Sequence, residues 1–239
     1  DMKEDSYHRK VKIISEIHPQ HHGSILELKR QIYLSFLGGA DMIKVQLYSS
    51  KELFKNNERE YLEISFDELK FIKDFCDNLS IELFASIFDT KKIKWCEKLN
   101  FNFYKIASRS VSDTDLCNQV LSLNKPTFIS LGMFKHSNKV PFQNKNAIYF
   151  YCISNYPTDL SEIKMPDFNN SIYQGYSDHT IGISACQHAI SKGAKFIEKH
   201  FSTNKAYKIA TEQAHYGSMN QNDILKLRNF ADDVILMEH

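Results

Sequence analysis

Eight short stretches of this chain end in side chains able to hold an anion, a metal ion or a proton. The first ends in Glu16, followed by His18, His21 and His22. The second carries Lys44 and Gln46, and the third ends at Ser86, Phe88 and Asp89. The fourth carries Lys105 and Ser108, with Arg109 and Ser110 behind them. Ser130 closes the fifth, and Ser154, Asn155 and Tyr156 close the sixth. The seventh ends Ser177-Asp178-His179, and the eighth carries Glu198, Lys199 and His200. Lysines and small hydroxyls are what a phosphate or carboxylate guest requires. Paired histidines such as His179 and His200 suit a divalent metal. A plainer reading stands beside this one. A lone strand-end histidine is more often a hydrogen-bonded structural residue than a ligand. Lys105 could point to solvent, and one of Glu198 and Lys199 must face away from the other.

The elements that position these residues are legible as apolar runs. Val11–Ile17, Met42–Tyr48, Ile81–Phe88, Phe103–Ser108, Pro126–Gly132, Ile148–Ser154, Tyr173–His179 and Phe196–Ser202 read as strands. Near-continuous apolar runs of this kind fit parallel strands covered on both faces. Amphipathic stretches lie between them: Ser24–Leu37, Ser65–Asn78, Thr90–Leu99, Ser112–Leu123, Ile183–Lys192 and Gln221–Met237. Strands alternating with helices in this number predict an α/β fold, a (β/α)8 TIM barrel. The alternative is a doubly wound open sheet, but no G-x-G-x-x-G follows the first strand. The stretch after Gly132, MFKHSNKVPFQNKNA, is too polar and short for a good helix. The fifth helix is therefore expected to be reduced or missing. In such a barrel the C-terminal strand ends meet at one rim, which makes a polar, anion-binding mouth.

Composition narrows the class. The chain has 239 residues, 30 Lys+Arg against 29 Asp+Glu, and 42% hydrophobic residues. That matches a globular domain. A net charge of +1 gives no reason to expect nucleic acid or an anionic membrane as partner. No window is long and apolar enough for a membrane span. The five cysteines are widely spaced with no C-x-x-C pair, and the opening residues are polar, so a cytoplasmic setting is expected.

Seven strings then appear in order: SEIHPQHHG (15–23), IKVQLY (43–48), FASIFD (84–89), YKIAS (104–108), CISNYPT (152–158), GYSDHTIG (175–182) and IEKHFS (197–202). Together they closely resemble the barrel domain of the sialic acid synthase family, over about residues 11–237. That family makes N-acetylneuraminic, legionaminic and pseudaminic acids. The resemblance implies an aldol-type condensation. Phosphoenolpyruvate supplies C3 to the open-chain aldehyde of an N-acetylated amino-sugar, water adds at C2, and phosphate leaves. It implies a divalent metal, Mn2+ or Mg2+, on His179 and His200. It implies that phosphoenolpyruvate meets Lys44, Ser86, Lys105, Ser108, Ser130 and Ser177. Gln46 and Tyr156 would line the sugar side, with Glu16 as the carboxylate near the reacting carbons.

The departures from the family pattern fall on the sugar and acid–base side. A glycine becomes His18 and an asparagine becomes Gln20. Gly-Glu after YKIAS becomes Arg109-Ser110. Asp-His-x-x-Ser aligns with Ala214-His215-Tyr216-Gly217-Ser218, so a second carboxylate is lost unless Glu212 reaches in its place. Arg109 is a new charge that could compensate. The family's C-terminal antifreeze-like domain is expected to be absent, leaving one barrel domain over 1–239. A homodimer through the barrel stays open. Three readings compete: a divergent metal-dependent synthase, a non-catalytic binding or scaffold relative, and a Schiff-base lyase acting through Lys105 or Lys44.

Overall fold

The computed structural model describes residues 10–134 and 139–237. Eight parallel strands close on themselves in sequence order. The elements run β1 Lys12–Glu16, α1 Ile25–Gly38, β2 Met42–Leu47, α2 Ser50–Phe54, α3 Phe66–Leu79 and β3 Glu82–Ile87. Then come α4 Thr90–Lys98, β4 Tyr104–Ile106, α5 Thr114–Leu121, β5 Thr127–Ser130 and β6 Ala147–Cys152. The last are β7 Tyr173–Asp178, α6 Ser184–Ser191, β8 Phe196–His200 and α7 Gln221–Met237. Closure through β1–β8 pairing, Glu16 opposite His200, excludes the open doubly wound sheet. No described helix is long and apolar enough to cross a membrane.

Helix starts follow capping chemistry. Ser24 accepts from the Glu27 amide at α1, Ser65 forms a capping box with Glu68 at α3, and Asp89 accepts from the Lys92 amide at α4. Each supplies an acceptor to a backbone N–H that the helix leaves unpaired.

Among the described residues no α-helix joins β5 to β6, as the polar stretch after Gly132 predicts; its residues 135–138 lie outside the described residues. A second helix is also missing. Between β6 and β7 only the 3-10 turn Leu160–Glu162 forms. Pro157 and Pro166 bracket that stretch, and Pro166 cannot donate the hydrogen bond a helix interior needs.

The barrel interior is layered. Phe84, Phe150 and Phe196 pack around Phe128 with ring centroids 5.2, 5.1 and 5.0 Å away. Gly175 leaves room for this floor, because a Cβ there would stand 2.5 Å from Phe150. Lys105 crosses the floor with its Nζ 4.2 Å from the Phe150 ring centroid. Outside the barrel wall, Lys199 meets Asp178 at 2.6 Å with both side chains fully buried. Asp178 also accepts from Tyr176, Thr180 and the Cys186 thiol of α6. Lys199 therefore faces the helix layer, and Glu198 faces inward.

Candidate active site at the C-terminal rim

A cavity of about 870 Å³ opens at the C-terminal ends of the strands. Lys44, Gln46, Ser86, Lys105, Ser108, Ser130, Tyr156, Ser177, His179 and His200 all line it. Glu16 is buried behind that lining. Lys105 does not reach solvent from an edge; it points into the barrel.

The closed end carries a four-charge cluster. Glu198 Oε1 lies 3.1 Å from Lys44 Nζ and 3.1 Å from Lys105 Nζ, and accepts from Ser177 at 2.9 Å. Lys44 also meets Glu16 at 2.6 Å. Lys105 donates to Ser130 at 2.7 Å. Burial pushes the Glu198 pKa up, but Lys105 and Lys44 outweigh it and hold the group at about 2. Burial pulls Lys44 down to about 8, with Glu198 opposing. The buried Ser86 hydroxyl has no hydrogen-bond partner among the described residues. An unpaired buried hydroxyl is costly, and a ligand oxygen would satisfy it. Ser108 takes the Gly132 amide at 3.2 Å. Glu16 has its other oxygen on the His18 amide at 3.0 Å and near Gln46 at 3.5 Å.

Above this layer stand the histidines. His179 and His200 have ring centroids 5.9 Å apart, and the exposed Tyr156 ring lies 4.1 Å from His179. His179 donates from Nδ1 to the Ile153 carbonyl at 2.8 Å. Burial opposes protonation of His179, but the Cys152 sulfur and that carbonyl outweigh it and raise its pKa. That bond commits the Nδ1 proton to the carbonyl, which leaves Nε2 as the nitrogen able to ligate. Burial and the neighbouring His215 hold His200 well below its ordinary pKa. Gln20 lies 3.4 Å from His200 Nδ1, and its Oε1 has no partner among the described residues. With its amide turned over, that oxygen would accept from Nδ1–H and leave His200 Nε2 as a lone pair. Two imidazoles, each held through Nδ1 so that Nε2 can serve as ligand, are a donor set that fits a divalent ion. No group of three His, Cys, Asp or Glu suited to a metal occurs among the described residues, so the remaining positions would fall to substrate or water.

Glu198, His215, Glu212 and Arg109 stand in the sequence reading without a settled role, and Cys152 stands there only as a cysteine. Glu198 is central, and its two-residue spacing from His200 placed it on the same strand face. Cys152 lies 3.8 Å from His179 Nδ1; burial raises its pKa, but His179 outweighs that and lowers it. His215 has its ring centroid 4.9 Å from His200 and is pulled to about 4 by burial and His179, so it is neutral at pH 7. Ala214 lines the cavity without a carboxylate. Glu212 lines it too, but is held by Arg59 at 2.6 Å. Arg109 lies at the mouth with its guanidinium 5.3 Å from the Phe54 ring centroid.

The NeuB family profile matches residues 32–237, most of the barrel just described. The chain belongs to the NeuB family. An uncharacterised protein of Methanocaldococcus jannaschii is 31% identical over 210 residues, covering 81% of this chain and 62% of that protein. The N-acetylneuraminate-9-phosphate synthase of Drosophila melanogaster is 27% identical, covering 83% and 62%. A Campylobacter jejuni pseudaminic acid synthase is 26% identical, covering 83% and 67%. The chain thus spans about 62% of the length of the first two of these relatives. Among solved structures, the N-acetylneuraminic acid synthetase of Leptospira borgpetersenii, in complex with citrate, superposes with a TM-score of 0.86 at 23% identity, covering 96% of this chain and 85% of that one. A truncated 3-deoxy-D-arabino-heptulosonate 7-phosphate synthase of Thermotoga maritima gives 0.70 at 14%, covering 95% and 88%. At those identities the likeness concerns the barrel fold.

Proposed function

We propose that this chain condenses phosphoenolpyruvate with an N-acetylated amino-sugar aldehyde to form a nonulosonic acid, releasing phosphate. The observation that carries the reading is the cluster at the closed end of the cavity. Two lysines, the unpartnered Ser86 hydroxyl and the hydroxyls of Ser130 and Ser177 converge there, directly below two imidazoles. Membership of the NeuB family supplies the reaction class.

In this reading Lys44, Lys105 and the serines hold the phosphate and carboxylate of phosphoenolpyruvate. Its C3 bonds to the aldehyde carbon, the aldehyde oxygen takes a proton, and water adds at C2 before the C–O bond to phosphate breaks. His179 and His200 would hold Mn2+ or Mg2+, which supplies Lewis-acid polarisation of the aldehyde when bound. Glu16 is the buried carboxylate able to take or hold a proton near C2, as Lys44 turns toward the phosphate. His215, neutral and beside His200, replaces the acid–base capacity lost at Ala214. The entering anion draws both lysines away from Glu198, so binding and the charge state of that carboxylate are linked.

The test is phosphate release from phosphoenolpyruvate with Mn2+, across a panel of N-acetylated hexosamines, beside His179→Ala. Release that needs both sugar and His179 is expected. Silence across the panel, with metal and phosphoenolpyruvate binding intact, would favour a non-catalytic binding relative. Ala214, together with Ser110, is the specific observation on that side.

A further inference from the structure

His18 stands where the family pattern has glycine, and its imidazole is almost wholly buried at the cavity edge. A buried imidazole in place of a hydrogen atom needs partners, and it has two. His21 Nε2 lies 3.0 Å from His18 Nδ1, and His18 Nε2 lies 3.0 Å from the Tyr48 hydroxyl. The proton positions in this chain follow from its far end. The Gly23 amide donates to His21 Nδ1 at 3.1 Å, and an amide can only donate. His21 Nδ1 is therefore bare. Burial keeps His21 neutral at pH 7, with a pKa near 4, so its one proton is on Nε2. That proton points at His18 Nδ1. His18, also neutral by burial, then carries its proton on Nε2 and donates it to Tyr48.

Tyr48 is left with a lone pair committed to His18 and with its own proton to give. Among the described residues its hydroxyl has no second hydrogen-bond partner, and Tyr48 lines the cavity. Two aromatic rings flank it, while Arg59 and Glu212, paired with each other, line the same cavity. Phe54 and Phe88 make edge contacts with the Tyr48 ring at 5.4 and 6.2 Å, and both line the cavity. A single fixed donor beside two aromatic rings matches a group with a carbonyl oxygen and a methyl on one carbon.

We propose that the Gly23–His21–His18–Tyr48 chain makes Tyr48 a fixed hydrogen-bond donor for the acetamido carbonyl of the acceptor sugar, with Phe54 and Phe88 receiving its methyl group. This rests on the synthase reading above and deepens it to a specificity subsite. His18 and His21 are positioning residues; Tyr48 touches the ligand. Losing one neutral hydrogen bond to ligand weakens binding by about tenfold.

The test has two arms. The first compares N-acetylmannosamine with mannose in Tyr48→Phe, His18→Leu and His18→Gln. Tyr48→Phe and His18→Leu should each raise KM for N-acetylmannosamine about tenfold with little change in kcat, leave KM for mannose unmoved, and not add in the double variant. His18→Gln, whose amide can donate to Tyr48, should restore most of the affinity. Equal effects on both sugars, or a fall in kcat alone, would overturn the subsite while leaving the synthase reading intact. The second arm needs no turnover. Long-range 15N NMR should find both His18 and His21 as Nε2–H tautomers, and saturation transfer to the acetyl methyl, with phosphoenolpyruvate present, should weaken in Tyr48→Phe. An Nδ1–H tautomer at His18, or no transfer to that methyl in the wild type, overturns the proposal. Transfer that depends on Tyr48 in a protein that releases no phosphate sustains the subsite and sinks only the reaction.

Discussion

Lys44 and Lys105 come from strands that do not neighbour each other, yet both ammonium groups reach the same oxygen, Glu198 Oε1, each at 3.1 Å. One buried carboxylate holds two buried cations, and a second, Glu16, completes the balance on Lys44. A buried pair broken on one side loses about 3–5 kcal/mol, because the remaining charge is left uncompensated.

Glu198→Gln should therefore lower stability by about 3 kcal/mol, read from chemical denaturation at pH 7. The pH signature separates charge from packing. Glu198 is held at about 2 against an ordinary value of 4.5, so its contribution is full above pH 4.5 and fades as pH falls toward 2. The variant should show a shallower loss across that window. Phosphoenolpyruvate should also stabilise the variant more than the wild type, since the anion replaces the missing charge. Equal anion stabilisation in both would count against the cluster as the binding site.

Lys44 gives a second pH dependence, at the alkaline side. Burial sets its pKa at about 8, so the cationic form that attracts an anion is lost as pH rises through 8. Phosphoenolpyruvate affinity should fall above pH 8 in the wild type. Lys44→Arg keeps its charge throughout this range and should abolish that inflection, whatever it does to affinity. Isothermal titration between pH 6.5 and 9.5 decides it, and an unchanged profile in Lys44→Arg would assign the inflection elsewhere.

Gln20 and His200 carry a prediction about metal. Outer partners that fix a ligating imidazole are worth about 10–100-fold in metal affinity. Gln20→Leu should weaken Mn2+ binding by about that factor, measured by the loss of free-ion electron paramagnetic resonance signal. Gln20→Glu should bind at least as tightly as the wild type, because its carboxylate accepts from His200 Nδ1–H. If Gln20→Leu binds Mn2+ normally, His200 is oriented by something other than Gln20.

The barrel was legible because its strands are apolar on both faces and its helices are periodic. The missing link after β5 was legible because Lys, Asn and Pro crowd that stretch. The missing helix before β7 was not anticipated, although Pro157 and Pro166 mark it. At the rim, strand parity alone decides which neighbour faces in: Glu198 shares its face with His200, and Lys199 turns out to Asp178. Contacts made by loops were beyond the sequence. Arg59 takes Glu212, and His215 comes beside His200, through a long connection whose path no periodicity dictates. The same holds for His18, whose partner Tyr48 lies in the loop after β2.

The aromatic floor beneath the charge layer sets a limit on what the barrel tolerates. Gly175 sits between Phe150 and Phe196, and a Cβ there would stand 2.5 Å from Phe150 Cε1 and 2.9 Å from Phe196 Cβ. Both contacts are far inside van der Waals distance, and Phe150 and Phe196 are themselves packed on Phe128. Overpacking of this kind typically costs about 1–3 kcal/mol. Gly175→Ala should fall in that range, measured by chemical denaturation. The Phe150 ring also carries Lys105 above it, so the displacement should reach the anion site: phosphoenolpyruvate affinity should drop along with stability. Gly175→Ala paired with Phe150→Leu should recover the stability by opening room for the methyl group. It should not recover the affinity, because the aromatic face under Lys105 is then gone. Recovery of both together would mean that Phe150 contributes volume and nothing more.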